Sequence, residues 1–484
     1  MAPNIKEQKH NADPEEKIDQ QTDRNSRSIM QGEICTQEEE RRVLRKIDMV
    51  ILPMLCCVFF FQYLDKQSLS YAAVFGLITD LDLQGSQYSW CSSIFYFGQL
   101  VAEYPFIYLM SRLPLTKFVG ATIITWGAIC MCLAAPKSFP GFAAVRFLLG
   151  FAEGAVSPAF VTITSICLWI TMNGLAQVIG SLLMYGIGKN TQLVLAPWRV
   201  LFLVCGALTT FSGILFTVLM PNGPQDAWFL NAREKDVLRM RMAADNEGGD
   251  ARRFSGAQFK EAMLDVKSWL VFGFGLLVTM QSPVLTFASL VINNIGYDKY
   301  NTLLHTAPSG AVQIAFIWIA VTACLIFPGR RSLIVMFLII PPLIGNVLLL
   351  KLPLSAQWGL IVASWLASCI SDIMAILLSL SASNVKGNTK RAVVNSLFFI
   401  GYCVRCIAAP QLWTKKPQYF EGVVTAIVTW CLLFVVVGIY WAICAKENTA
   451  KEEKERRGEV EATEDEPDEG DDTDKQDRGF RYSL

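Results

Sequence analysis

The chain has 484 residues, 53% of them hydrophobic and only 17% charged, with a mean hydropathy of +0.38. Three polar stretches (1–48, 221–267 and 446–484) hold most of the charge, leaving 25 charged side chains in the other 350 residues, far below the soluble norm of about 25%. Such a body cannot be hydrated all round and must face lipid, which excludes a soluble enzyme, a nucleic-acid binder or a disordered scaffold as its main identity.

In chain order, residues 1–48 are polar and read as a disordered tail. No leader pattern precedes the first apolar run, which is expected to act as an uncleaved anchor. Apolar runs follow at 49–69, 88–110, 115–135, 141–165, 169–189 and 198–220. After the charged stretch 221–267 come 268–292, 304–327, 331–351, 357–380, 391–411 and 421–445. Each is close to the ~20 residues that cross ~30 Å of hydrocarbon. The prediction is an all-α membrane protein with twelve transmembrane helices in two six-helix halves, 49–220 and 268–445. Equal halves joined by one polar loop are a pattern of transporters built from repeats. The central loop is predicted to carry a short interfacial helix from Ala227 to Met242, and 446–484 to be an acidic, disordered tail.

An even number of spans puts both termini on one side. Arg41, Arg42, Arg45 and Lys46 precede the first run, Lys446 and Lys451 follow the last, and the central loop adds eight basic residues, so the positive-inside rule places both termini in the cytosol. No Gly-x4-Gly-Lys-Ser/Thr loop occurs to cradle a nucleotide. Of 14 cysteines only Cys35 lies outside the apolar body, and the lone Cys403-x-x-Cys406 lacks the second pair that a metal site needs. No metal and no cofactor is implied.

Polar residues at membrane depth are costly and mark working sites or packing. The second predicted helix carries Tyr88, Ser92, Tyr96, Gln99 and Glu103 on one face, and the fourth carries Arg146, Gly150, Glu153 and Ser157. The seventh has Thr279, Ser282, Thr286, Ser289 and Asn293, the eighth His305, Ser309 and Gln313. The tenth has Ser364, Ser368 and Asp372, the eleventh Asn395, Phe398, Tyr402 and Arg405, and the first Gln62, Asp65 and Lys66. Such stripes imply a water-accessible cavity. Ser and Thr also bond their own i−4 carbonyls, Gly150-x3-Gly154 reads as a packing motif, and Lys66 reads equally as a snorkelling neighbour of Asp65 near the outer interface. Arg146 with Glu103 forms either a structural ion pair or a coupling device, and Arg405 has Asp372 as its natural counter-charge if the two face each other.

Together with these stripes, Arg45-Lys46-Ile47-Asp48, the run Gln62 to Ala72, Gln87-Tyr88-Ser89-Trp90, Arg146 to Gly150 with Glu153, Ala196-Pro197-Trp198-Arg199, Pro308 to Gln313, Ala382 to Val385 and Phe398 to Cys403 resemble the major facilitator superfamily, specifically its fungal allantoate permease-like branch of anion:cation symporters. The resemblance implies alternating access and proton-coupled movement of a small organic anion, carboxylate or vitamin-like, across a plasma membrane. On that reading Arg146, Arg405, Tyr96, Gln99, Asn395 and Tyr402 bind or gate the substrate, and Asp65, Glu103, Glu153 and Asp372 are proton-coupling candidates. The partners are then the organic anion, protons and the lipid bilayer, with no nucleic acid. Three departures stand out: 154–188 carries no charge where the family has a polar connector between helices 4 and 5; the superfamily loop after helix 2 survives only as Ser111 to Lys117, without its acidic residue; and Arg405 replaces an expected small or amide residue. An exporter of a secondary metabolite on the same fold, and a non-transporting sensor or truncated isoform, remain open alternatives.

Overall fold

The structure is a computed structural model. It describes residues 37–154, 166–190, 192–246, 255–281, 283, 292, 296–353, 355–413, 419–457, 472–477 and 479–484. Twelve helical segments fall on the twelve apolar runs. They are α1 (Gln37–Ala72, continuing through Ala73–Leu77 to Asp80), α2 (Gln87–Arg112), α3 (Leu115–Cys132), α4 (Phe139–Glu153), α5 (Ile166–Lys189) and α6 (Pro197–Leu219). The second set is α7 (Val266–Val278), α8 (Lys299–Ile326), α9 (Arg331–Leu338 with Ile340–Lys351), α10 (Gln357–Ala367 with Ser371–Ser383), α11 (Asn388–Ala408) and α12 (Phe420–Arg456). Nine of them, within the described residues, are long and apolar enough to cross a membrane. The predicted connector between α4 and α5, and Ser157, Ser282, Thr286, Ser289 and Asn293, lie outside the described residues.

Local chemistry sets the helix boundaries. Ser138 stands before α4, whose first turn holds a proline, and Pro197 opens α6, where the missing N–H costs nothing. The Asp298 carboxylate accepts from Asn301 N at 2.9 Å to start α8, and Asp265 accepts from Lys267 N at 3.1 Å to start α7. α9 breaks at Ile339, just ahead of Pro341 and Pro342, and α10 breaks over Ser368–Ile370. α1 ends beyond Gly76, whose φ of 100° lies in the left-handed region that favours glycine.

Among the described residues, close contacts at α5–α8 and α2–α11 help to join the halves. α5 and α8 meet at Gly174 and Gly310, where a Cβ on Gly310 would lie 2.3 Å from the Gly174 carbonyl oxygen and one on Gly174 2.5 Å from the Gly310 oxygen. α2 and α11 meet where Ser93 Oγ donates to Ile407 O at 2.7 Å and Gln411 Nε2 donates to Ser93 Oγ at 2.9 Å. At the same end, Tyr300 OH donates to Gly188 O at 3.0 Å. This end, with the α1–α2, α5–α6 and α11–α12 connections, is called distal below. The opposite end, carrying the α8–α9 and α10–α11 connections, is proximal.

Residues 37–50 and 223–247 form a separate small unit. Val43 buries against Ala227, Leu230 and Val237, Lys46 Nζ meets Glu234 Oε1 at 2.5 Å, and the loop helix runs Ala232–Asn246.

The described parts of the acidic tail differ from the solvated coil expected of its composition. α12 runs eleven residues beyond the predicted span, and the described residues 472–484 pack on the proximal end: Asp474 is 1% exposed, and Lys390 Nζ stands 2.7 Å from its Oδ1. A count of like charges misses this, because the lysines that balance Asp474 come from elements remote in sequence. Burial alone raises the Asp474 carboxyl, but the hydrogen bond and charge of Lys390, the Tyr482 hydroxyl and the charge of Lys267 outweigh it and hold the group below its ordinary value of 3.8. Its contribution to docking is therefore complete above the ordinary carboxylate range and is lost as pH falls through the lowered value.

The α5–α8 contact has a direct test. Gly310→Leu is expected to force the helices apart at a cost of about 1–3 kcal/mol of overpacking, read as a lower thermal midpoint of the purified protein. Gly186→Leu, at a position with open space around it, is the control expected to leave the midpoint unchanged.

Candidate functional site

Where α10 is broken, a cavity of about 130 Å³ opens between the two halves. An engineered cavity of about 150 Å³ is enough to admit benzene, so the space suits a molecule of one ring or its equivalent. α1 contributes Phe59, Tyr63, Lys66 and Gln67, α2 contributes Ser92, Phe95 and Tyr96, and α4 and α5 contribute Arg146 and Asn173. The second half brings Thr279, Ile370, Ser371, Met374, Leu378, Phe399 and Tyr402.

Glycine packing brings the charged side chains into place. A Cβ on Gly150 would lie 1.8 Å from Phe95 O and one on Gly98 2.2 Å from Phe147 O, so α2 and α4 touch backbone to backbone. Arg146, one turn before Gly150, is thereby laid against α2. Its Nε donates to Cys91 O at 3.1 Å, and its guanidinium carbon lies 5.0 Å from the Phe95 ring centroid. Arg146 is 3% exposed, and its Nη1 has no hydrogen-bond partner among the described residues. Two turns on, Glu153 is fully buried and accepts from both Lys66 Nζ and Gln62 Nε2 at 2.8 Å. Lys66 Nζ also lies 5.8 Å from the Phe95 centroid. Two cations therefore stand against one aromatic ring, and of the two Lys66 alone forms a salt bridge among the described residues. Opposite, Asn173 Nδ2 donates to Ser371 Oγ at 3.2 Å across the halves while its Oδ1 is buried without a partner, and Tyr96 meets Tyr402 edge to face at 5.9 Å.

The expected residues are only partly united. Arg146, Tyr96 and Tyr402 line the cavity, and Glu153 joins it through Lys66. Asp65 is buried on another side of α1, with Cys130 Sγ and Thr209 Oγ1 each at 3.4 Å. Glu103 does not pair with Arg146. The guanidinium contacts Cys91, and Glu103 lies twelve residues further along α2, about 18 Å at a 1.5 Å rise. Asp372 and Arg405 form no ion pair among the described residues: Asp372 Oδ2 and Arg405 Nε and Nη2 are buried without partners. Neither these two nor Gln99, buried on α2, and the half-buried Asn395 reach the cavity lining.

The structure decides between the two readings of Lys66. Its apolar run ends at Leu69, which suggested the outer interface, but α1 continues to Asp80 because Gln67, Ser68, Ser70 and Tyr71 turn toward protein, and Lys66 falls in mid-span. Ser68 satisfies itself on the Asp65 carbonyl at 2.6 Å, and Tyr71 donates to Gln177 O at 3.1 Å. The available signal was the i, i+4 spacing of Gln62 and Lys66, which brings both to one carboxylate. Asn173, Tyr63 and Gln67 were also missed, since they sit in otherwise apolar or unstriped segments.

Breaking one side of a buried pair strands the other charge. Glu153→Gln is expected to destabilise the protein by about 3–5 kcal/mol, and the double change Lys66→Met with Glu153→Gln to recover most of that loss in thermal or chemical unfolding. Equal losses in the single and double variants would show that the pair is not coupled.

The comparisons agree with this architecture. Residues 55–410 match the model of the Major Facilitator Superfamily. The allantoate permease of Saccharomyces cerevisiae is 32% identical over 93% of this chain and 87% of its own length. The thiamine pathway transporter THI73 of the same yeast is 31% identical over 91% of this chain and 87% of its own. Among solved structures, the proton:xylose symporter XylE of E. coli superimposes with a TM-score of 0.60 at 15% identity, over 82% of this chain and 96% of that one, a likeness of fold. Two six-helix halves, a cavity between them and a family match spanning both halves lead to one assignment: the chain belongs to the Major Facilitator Superfamily, as a multi-pass membrane transporter and not an enzyme.

Proposed function

We propose that this transporter takes up a small organic anion together with a proton, by alternating access, across a plasma membrane with both termini in the cytosol. The observation that carries the reading is the pair of cations over Phe95, one of them, Arg146, with an unpartnered buried N–H at the cavity. A guanidinium is permanently charged and matches a carboxylate in a two-point fork. The aromatic walls from Phe59, Tyr63, Phe95, Tyr96, Phe399 and Tyr402 suit a flat organic body. The relative named an allantoate permease supports an organic anion as cargo.

Coupling follows from the same geometry. An arriving carboxylate takes the free Arg146 N–H and competes with Glu153 for Lys66. A buried carboxylate that loses its counter-charge is costly, and a bound proton removes that charge. Glu153, still held by Gln62, accepts the proton as the substrate takes over Lys66, so the loaded site adds no net charge. On release inside, the proton leaves and Glu153 regains Lys66. Asp65, Glu103 and Asp372 lie off the cavity and act in this scheme only as accessory carboxylates.

Uptake of labelled allantoate and a panel of small carboxylates into proteoliposomes tests the proposal. An inwardly directed proton gradient is expected to accelerate uptake of at least one of them. Arg146→Lys is expected to lower that uptake about 10- to 100-fold, matching the ~1.5–3 kcal/mol of a hydrogen bond to a charged group. Uptake indifferent to the gradient would reject the coupling, and full uptake by Arg146→Lys would remove Arg146 from the substrate site.

A further inference from the structure

A dense charged cluster lies at the proximal end, away from the cavity, and transport of a solute through the centre does not account for it. Asp474 sits between Lys390 Nζ at 2.7 Å and Lys267 Nζ at 3.4 Å, and accepts from Tyr482 OH at 2.8 Å. The Tyr482 ring in turn lies 3.7 Å from Lys267 Nζ. Thr473 Oγ1 donates to Glu261 Oε2 at 3.0 Å on the loop helix Gly256–Leu264.

The rest of the segment is fastened through its backbone. Asn448 of α12 makes two hydrogen bonds of 2.9 Å with the main chain of Tyr482. Asn384, in the α10–α11 connection, does the same for Ser483 at 2.9 and 2.7 Å. Leu484 N donates to Gly329 O at 2.9 Å and its carbonyl accepts from Ser332 N at 3.3 Å, at the α8–α9 connection. The segment thus touches the ends of α7, α9, α11 and α12 in the second half and the helix Gly256–Leu264 that leads into it.

The cluster is also built so that the segment can leave. Without it, Lys390 keeps Glu261 at 2.8 Å and Asp265 at 3.1 Å, and Lys267 keeps Glu447 at 2.7 Å. Neither buried lysine is stranded, while Asp474 and the polar main chain pass into water. Removing the partner of a buried charge is the expensive event, and this arrangement avoids it.

We propose that residues 472–484 form a releasable clip that fastens the proximal ends of the second half into one body, docking on and leaving the Lys267–Lys390 cluster as a unit. The clip lies on one half only, so it stiffens that half without tying it to the other, and its role is independent of the solute carried.

Hydrogen exchange in nanodiscs tests it. A chain truncated after residue 471 is expected to remain folded and to exchange at least tenfold faster than the full chain over 256–267 and 388–391. Adding a synthetic peptide of residues 472–484 is expected to restore protection, and the same peptide with Asp474→Lys is expected not to. In the full-length chain, Asp474→Asn combined with Tyr482→Ala is expected to reproduce the truncation, which guards against a truncated chain that fails to assemble. Unchanged exchange in both variants overturns the clip, and a native peptide that restores nothing overturns its reversibility.

Discussion

A buried carboxylate with two donors organises the first half of this transporter. Glu153 is fully inaccessible, and Lys66 and Gln62, one turn apart on α1, both point at it. An ion at that depth is tolerated only when paired and hydrogen-bonded. The position of α1 against α4 is therefore set by charge as well as by apolar packing. Arg146 is fixed by the same contact surface, because the glycines that let α4 press on α2 also bring its Nε to the Cys91 carbonyl. The cavity is the space left where these constraints meet the broken helix α10.

The joints between the halves have a different character. At α5–α8 the backbones approach through Gly174 and Gly310, and at α2–α11 a serine and a glutamine make short hydrogen bonds. Neither joint carries an ion pair among the described residues. Small residues allow packing without large interlocking side chains, and hydrogen bonds of this kind contribute about 1 kcal/mol each. Such joints can part and re-form, as the proposed alternating access requires, whereas the Lys66–Glu153 pair would resist separation. The strong interaction sits within a half and the weak ones between halves.

Much of this was legible in the sequence, and the failures share a cause. Helix number, order and most boundaries follow from hydrophobic runs against a fixed membrane thickness, a one-dimensional property. Arg146, Tyr96, Tyr402 and Glu153 were legible because stripes at helical spacing report a shared face. What a stripe does not report is the rotation and depth of the neighbouring helix. Glu103 and Arg146 were matched by charge, yet their helices pack with Cys91 beside the guanidinium. Arg405 and Asp372 were matched in the same way and do not meet. The outer-interface alternative for Lys66 arose because polar residues after Leu69 ended the apolar run, although those residues bury against protein. The described end of the tail was misjudged by composition, since Asp474 finds lysines from α7 and α11.

The two charged clusters differ in a way that separates work from support. At the proximal end every buried lysine has more than one carboxylate, so loss of any single acidic group leaves it compensated. In the cavity the count runs the other way: Lys66 and Arg146 face a single carboxylate, and an N–H of Arg146 is left over. A site that is over-compensated holds structure through perturbation, while a site short of one negative charge has a reason to admit an anion. The deficit is small, one charge in a chamber sized for one ring, so for the proposed anion the same arithmetic that favours entry also keeps it from being held too tightly to leave. In the proposed cycle a proton on Glu153 enlarges the deficit by one, and its departure restores it. On that proposal, binding strength follows the charge of a residue that does not itself have to touch the substrate.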